Sequence, residues 1–192
     1  MTSRLVVEQI QGSVGSNNII TVPSGHTFAA PGLVLQCQVV RYDGQATYST
    51  GSGTELIPLR VSITPKKSNS LILCMFQVHG ECGSTHDVVY RVYKNGALPA
   101  GSYAGYNTSV GDVAYSCISQ ALPYEGDYNS TPYTKTFFYH DFPGSIATQT
   151  YCPVIKDSYN SSYTWYLNRA AGAPQNGYEC GVSFSIAWEI GQ

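Results

Sequence analysis

From Gly32 onward, apolar and polar positions alternate in short runs broken by turn residues, the pattern of half-buried strands rather than of helices. Leu33-Val-Leu-Gln-Cys-Gln-Val-Val40 places Leu33, Leu35, Cys37 and Val39 on one face. Thr47 to Gly53 reads as a polar loop, and Leu56 to Thr64 as a second strand ended by Pro65. After the turn Pro65-Lys-Lys-Ser-Asn-Ser70, Leu71 to Val78 is apolar on both faces and is expected at the centre of a sheet. Val88-Val-Tyr-Arg-Val-Tyr93 runs into Lys94-Asn95-Gly96, and Asn-Gly supplies the positive φ angles of a type I′ turn. Val113 to Gln120 is a further strand, and Tyr124 to Pro132 a Tyr/Asn/Gly/Pro loop. Four pieces close the chain: Phe137 to Gly144, Thr150 to Val154, Tyr166 to Arg169 and Ser183 to Ile190. About eight to ten short strands, with no stretch at helical period, predict an all-β antiparallel sandwich of jelly-roll type over 32–192.

Residues 1–31 differ. Leu5, Val6, Val7 and Ile10, then Ile19, Ile20 and Val22, form two β-prone clusters separated by Gly-Ser-Val-Gly-Ser-Asn-Asn. Such a segment buries too little apolar surface to offset its own ordering entropy. It is expected to be an extended arm that orders against a partner chain.

Composition narrows the function classes. Only 11% of residues are charged and the net charge is −2, so no broad attraction to nucleic acid or anionic membrane is expected. No apolar run is long enough to span a bilayer, and the N-terminus lacks the apolar stretch of a signal peptide. Without that export route the six cysteines are expected as thiols. Cys37, Cys74 and Cys180 share the parity of apolar neighbours and read as small core residues. The sequons at Asn107, Asn129 and Asn160 are then chance matches to a Ser/Thr-rich composition.

The order of these pieces resembles phage virion structural proteins, the tail-fibre-type jelly-roll proteins of phages that infect aquatic bacteria and cyanobacteria. The resemblance rests on Leu5-Val-Val-Glu-Gln-Ile10, Ala30-Pro-Gly-Leu-Val-Leu-Gln36, Val61-Ser-Ile-Thr-Pro65 with Ser70-Leu-Ile-Leu73, and the four closing pieces. It spans nearly the whole chain as an ordered set of short motifs. The cysteines, the insert from Cys82 to Asp87 and the Tyr124–Tyr133 loop depart from the pattern. The resemblance implies a homotrimer on the virion, assembled in the bacterial host cytoplasm, with the arm docked to other tail or capsid proteins. The leading expectation is a tail-fibre-like protein whose loops meet a host-surface glycan or protein. The alternative is a capsid decoration, cement or head-fibre protein, which the lack of a shaft in so short a chain favours.

Three constellations bear on chemistry. Cys74, His79, Cys82 and His86 could hold Zn²⁺, but Cys74 and His79 have opposite strand parity, and the expectation is no metal and no cofactor. A glycan-hydrolysing module needs two carboxylates about 5–9.5 Å apart across a cleft. The acids (Glu8, Asp43, Glu55, Glu81, Asp87, Asp112, Glu125, Asp127, Asp141, Asp157, Glu179, Glu189) show no such pairing, and Asp141 reads as a turn residue; no enzyme activity is expected. Among sixteen tyrosines, Tyr124, Tyr128, Tyr133, Tyr159 and Tyr163 lie in Ser/Asn/Gly-rich loops. Rings there could stack on sugar faces and donate a hydrogen bond, so they are the candidate receptor contacts.

Overall fold

A computed structural model describes residues 30–84, 88–99, 119–120, 130–157, 162–172 and 179–192. The chain divides into two compact units, Met1–Ala30 and Pro31–Gln192. The second is described here; the arm positions Leu5 to Val22 lie outside the described residues.

Eleven strands are assigned among the described residues: β1 (Val34–Tyr42), β2 (Ala46–Ser49), β3 (Thr54–Glu55), β4 (Val61–Ile63), β5 (Leu71–Cys82), β6 (Val88–Lys94), β7 (Ser119–Gln120), β8 (Tyr133–Asp141), β9 (Gln149–Asp157), β10 (Thr164–Leu167) and β11 (Ser183–Ile190). They form two antiparallel sheets packed as a β-sandwich. The first runs β1-β11-β5-β10-β2, with β8 also paired to β5; the second runs β3-β9-β6-β7, with β4 also paired to β9. The chain crosses between sheets repeatedly, so the core is built from residues far apart in sequence.

β5 is the spine. Ile72, Cys74, Phe76 and Val78 point inward and are fully buried, while Leu71, Leu73, Met75, Gln77 and His79 alternate outward. Phe76 lies 5.4 Å from Phe137 of β8, and Tyr90 of β6 stacks on Phe137 at 4.8 Å from the opposite sheet. Trp165 meets Tyr90 edge-on at 5.9 Å. These four rings interlock the two layers, each contributing offset or edge contacts beyond its buried area. Asn95 and Gly96 have φ of 53° and 80°, and Lys94 and Ala97 close the two-residue turn with N–H···O bonds of 2.9 and 3.1 Å, as Asn-Gly requires.

Three expectations fail for physical reasons. Leu56 to Thr64 is not one strand, because a 3-10 turn at Ile57–Leu59 separates β3 from β4. The turn lies opposite Pro153 of β9, whose carbonyl accepts Leu56 N–H at 2.9 Å. A strand residue presents its N–H and C=O to the same neighbour, so proline leaves no donor there for a continuous ladder. Thr47 to Gly53 is not wholly a loop: Ala46–Ser49 pairs with β10, and Tyr48, opposite Trp165, packs against the core.

Cys37, Val39 and Cys180 are exposed rather than core residues, Val39 at 61%. The register of β1 on β11 slips between Val34 and Gln36, so Leu35 is an inserted residue. Beyond this bulge the parity is inverted: Val40 and Tyr42 pack on the core while Cys37 and Val39 face out. β11 shows the same inversion, since Ser183, Ser185, Ala187 and Glu189 are its buried face. The 3-10 turn lies against that face, with Ser185 Oγ donating to Leu59 C=O at 2.6 Å.

Candidate functional site

The metal constellation is dispersed. Cys74 points into the core and His79 to the opposite face of β5. The His79 ring is engaged by Thr134 Oγ1 at 2.8 Å and the Glu179 carbonyl at 3.1 Å. Cys82 is buried, His86 lies outside the described residues, and no metal-capable cluster of three ligands occurs among the described residues. Burial pushes the Cys74 thiol far up and raises Cys82 to about 11 and Cys152 to about 12. Burial thus holds these three thiols in the protonated form at neutral pH.

Three carboxylates among the described residues, Glu81, Asp141 and Glu189, are structural anchors. Glu189, fully buried, accepts Gln36 Nε2 at 2.6 Å, Ser70 Oγ at 2.7 Å, Lys66 N–H at 2.8 and 2.9 Å, and Lys67 N–H at 3.1 Å. Burial alone would raise its pKa; the Gln36 amide, the Lys66 N–H, the Ser70 hydroxyl and the Lys67 N–H together bring it below the ordinary value. Glu81, also buried, accepts from Thr131 N–H at 2.9 Å and from Ala171 N–H, joining two loops. Asp141 is not merely a turn residue: it ends β8 and takes both Lys94 Nζ at 2.6 Å and Tyr151 O–H at 2.7 Å, tying one sheet to the other. Glu55 pairs with Arg60 at 3.0 Å, and Asp43 with Arg41 at 2.7 Å.

Asn168 is a second anchor, near the end of the closing piece Tyr166 to Arg169. It leaves β10 at φ 62° and is fully buried. Its Nδ2 donates to Tyr42 and Gly44 carbonyls at 2.9 and 2.8 Å, and its Oδ1 accepts Ser183 Oγ at 2.6 Å. Asparagine suits the place because it tolerates left-handed backbone and offers both donor and acceptor.

Of the candidate receptor tyrosines, Tyr133 opens β8 and Tyr163 precedes β10, and both pack partly against the core. Tyr124, Tyr128 and Tyr159 lie outside the described residues.

The most distinctive surface is one that sequence reasoning missed: the outer face of the first sheet. Register places Val39, Ile186, Met75 and Phe138 in one row across β1, β11, β5 and β8. Cys37, Trp188, Leu73 and His140 form the next row, and Val34, Ile190 and Leu71 the one beyond. On the other side the row is Arg41, Phe184, Gln77 and Thr136, where the surface turns polar. The signal in the sequence is the alternation Ser-Phe-Ser-Ile-Ala-Trp-Glu-Ile, which marks two faces without saying which is buried. No family model matches the chain, and no curated protein matches it.

Proposed function

We propose that this chain is a non-enzymatic phage virion structural protein, a tail-fibre-like homotrimer of jelly-roll type that projects from the particle. The observation that carries the reading is the ordered set of motifs resembling that family, which runs from the arm at 1–31 to the final strand. The β-sandwich agrees with the fold this resemblance implies. Two of the motifs also have a mechanical use: Pro31-Gly32 leads into the first strand, and Pro65 to Ser70 is the turn clamped by Glu189. The absence of enzymatic chemistry is supported by the way Glu55, Glu81, Asp141 and Glu189 are each engaged by protein donors, and by the raised thiol pKa values. In this reading residues 1–31 dock to other virion proteins, and the loop at 124–133 meets a host-surface glycan or protein.

Location on the particle tests it. Gold-tagged antibody on intact virions is expected on the tail. Label spread over the head would replace the fibre reading with a capsid decoration or head-fibre protein. Absence of label from purified particles would end the virion assignment.

A further inference from the structure

The turn after β6 holds an asparagine followed by glycine, a pair whose backbone can attack its own side chain. Glycine has no Cβ to shield its nitrogen, and a Cβ placed on Gly96 would meet nothing within 4 Å. Asn95 and Gly96 are both exposed, so water reaches them. In the reaction the Gly96 nitrogen bonds to Asn95 Cγ, the Cγ–Nδ2 bond breaks, and Nδ2 leaves as ammonia with the proton of the Gly96 amide. Water then opens the five-membered imide. Cleavage at Cγ gives aspartate. Cleavage at the Asn95 carbonyl carbon gives isoaspartate, whose main chain runs through the side chain and is one methylene longer. Water is the sole co-reactant.

The fold restrains both reacting groups. Asn95 Oδ1 accepts Thr150 N–H at 2.9 Å and Thr150 Oγ1 at 3.3 Å, and Nδ2 donates to Gln149 Oε1 at 3.0 Å. Both ends of the amide are thereby held on β9. The main chain is held too: Asn95 N–H donates to the Thr150 carbonyl at 2.9 Å, and Lys94 and Ala97 bond reciprocally around the left-handed turn. Ring closure requires the Asn95 side chain and the peptide to Gly96 to rotate toward each other, and each of these contacts resists that rotation. We infer that Asn95 is a spontaneous deamidation site latched shut by Gln149 and Thr150, reacting only when the end of β6 parts from β9. The change is one-way. Aspartate has no Nδ2 to give to Gln149, and isoaspartate lengthens a turn that Lys94 and Ala97 close around two residues. A transient opening is thus written permanently into the chain.

The test is ageing of the full chain in mildly alkaline buffer, with and without urea enough to unfold it. Peptide mass spectrometry after chromatography separates asparagine, aspartate and isoaspartate. The chain's other Asn-Gly pair, Asn176–Gly177, lies outside the described residues and serves in urea as the reference for unconstrained chemistry. In urea Asn95 and Asn176 are expected to convert at similar rates. In buffer Asn95 should convert at least roughly tenfold more slowly than in urea, because reaction waits on the small open fraction. Gln149→Ala removes the partner of Nδ2 and should speed conversion in buffer severalfold while leaving the rate in urea unchanged. Equal rates in buffer and urea would overturn the latch. No conversion of Asn95 in urea, where Asn176 converts, would overturn the site itself. An unchanged rate in folded Gln149→Ala would overturn the part given to the side-chain contacts. Where that variant fails to fold, hydrogen exchange of the Asn95 amide replaces it. Slow deamidation beside a freely exchanging Asn95 N–H would overturn the latch, since that N–H is released by the same opening.

Discussion

Replacing Glu189 with glutamine should weaken the sandwich far more than a change of one atom suggests. The carboxylate is fully buried and every polar group around it is a donor: the Gln36 amide, the N–H groups of Lys66 and Lys67, and the Ser70 hydroxyl. Glutamine keeps one acceptor oxygen but must turn its NH₂ toward one of those donors. Hydrogen bonds to a charged group contribute about 1.5–3 kcal/mol each, and a buried donor left unsatisfied costs about 1–3 kcal/mol. Ser70 and Gln36 can re-orient, so the net loss should be about 2–4 kcal/mol. Urea unfolding followed by tryptophan fluorescence measures it, and melting should fall by roughly 2–4 °C per kcal/mol for a chain of this size. The pH dependence is a second constraint. The folded pKa of Glu189 lies below its unfolded value, so its stabilisation is complete above the unfolded pKa of about 4.3 and is lost as pH falls through the folded pKa. The gap between parent and variant should be flat from neutral pH to about 5 and narrow below about 4. A variant within about 0.5 kcal/mol of the parent at pH 7, or a gap unchanged at the lowest pH where both fold, would refute the clamp.

Other substitutions probe the remaining anchors. Gly80→Ala would put a Cβ 2.5 Å from the Tyr166 carbonyl and 2.8 Å from the Trp165 ring, so overpacking should cost about 1–3 kcal/mol in the same assay. Tyr151→Phe removes one of two partners of Asp141 and should cost about 1 kcal/mol, with Lys94 still in place; no loss would mean that the inter-sheet tie carries no stability. Asn168→Ala strands the Tyr42 and Gly44 carbonyls and the Ser183 hydroxyl and loses the residue suited to φ 62°, so a loss of about 2–4 kcal/mol is expected. Cys74, Cys82 and Cys152 should resist alkylation in the folded protein and react only on unfolding; rapid labelling of any of them without denaturant would contradict its burial.

What could be read from the sequence was local. The turn at Asn95–Gly96, the spine from Leu71 and the final strand from Ser183 to Ile190 are fixed by residue preference and alternation within a few positions. What failed depended on partners distant in the chain. The bulge at Leu35 exists only relative to β11, and it alone moves Cys37 and Val39 from inside to outside. The break between β3 and β4 depends on Pro153, roughly ninety positions later in the chain. β11 turns Ser183, Ser185, Ala187 and Glu189 inward, where Ser185 bonds the Leu59 carbonyl of a turn more than a hundred positions earlier. Alternation shows that a strand has two faces; which one is buried is decided by what arrives against it. The same limit hid the apolar outer face of the first sheet, whose rows are assembled from four strands drawn from both ends and the middle of the chain.

The first and last strands are joined at their ends: Gly32 N–H donates to the Gly191 carbonyl at 2.8 Å, and Gly191 N–H to the Leu33 carbonyl at 2.9 Å. The backbone therefore enters and leaves the sandwich at one pole, within a hydrogen bond of itself. A splice of only a few residues would close 31–192 into a ring, and the ring could be reopened at an exposed turn without breaking the core. For anyone attaching cargo, the rule is directional. A fusion after Gln192 will stand beside the point where Pro31 begins, and a label meant for the opposite pole must be placed in a loop there.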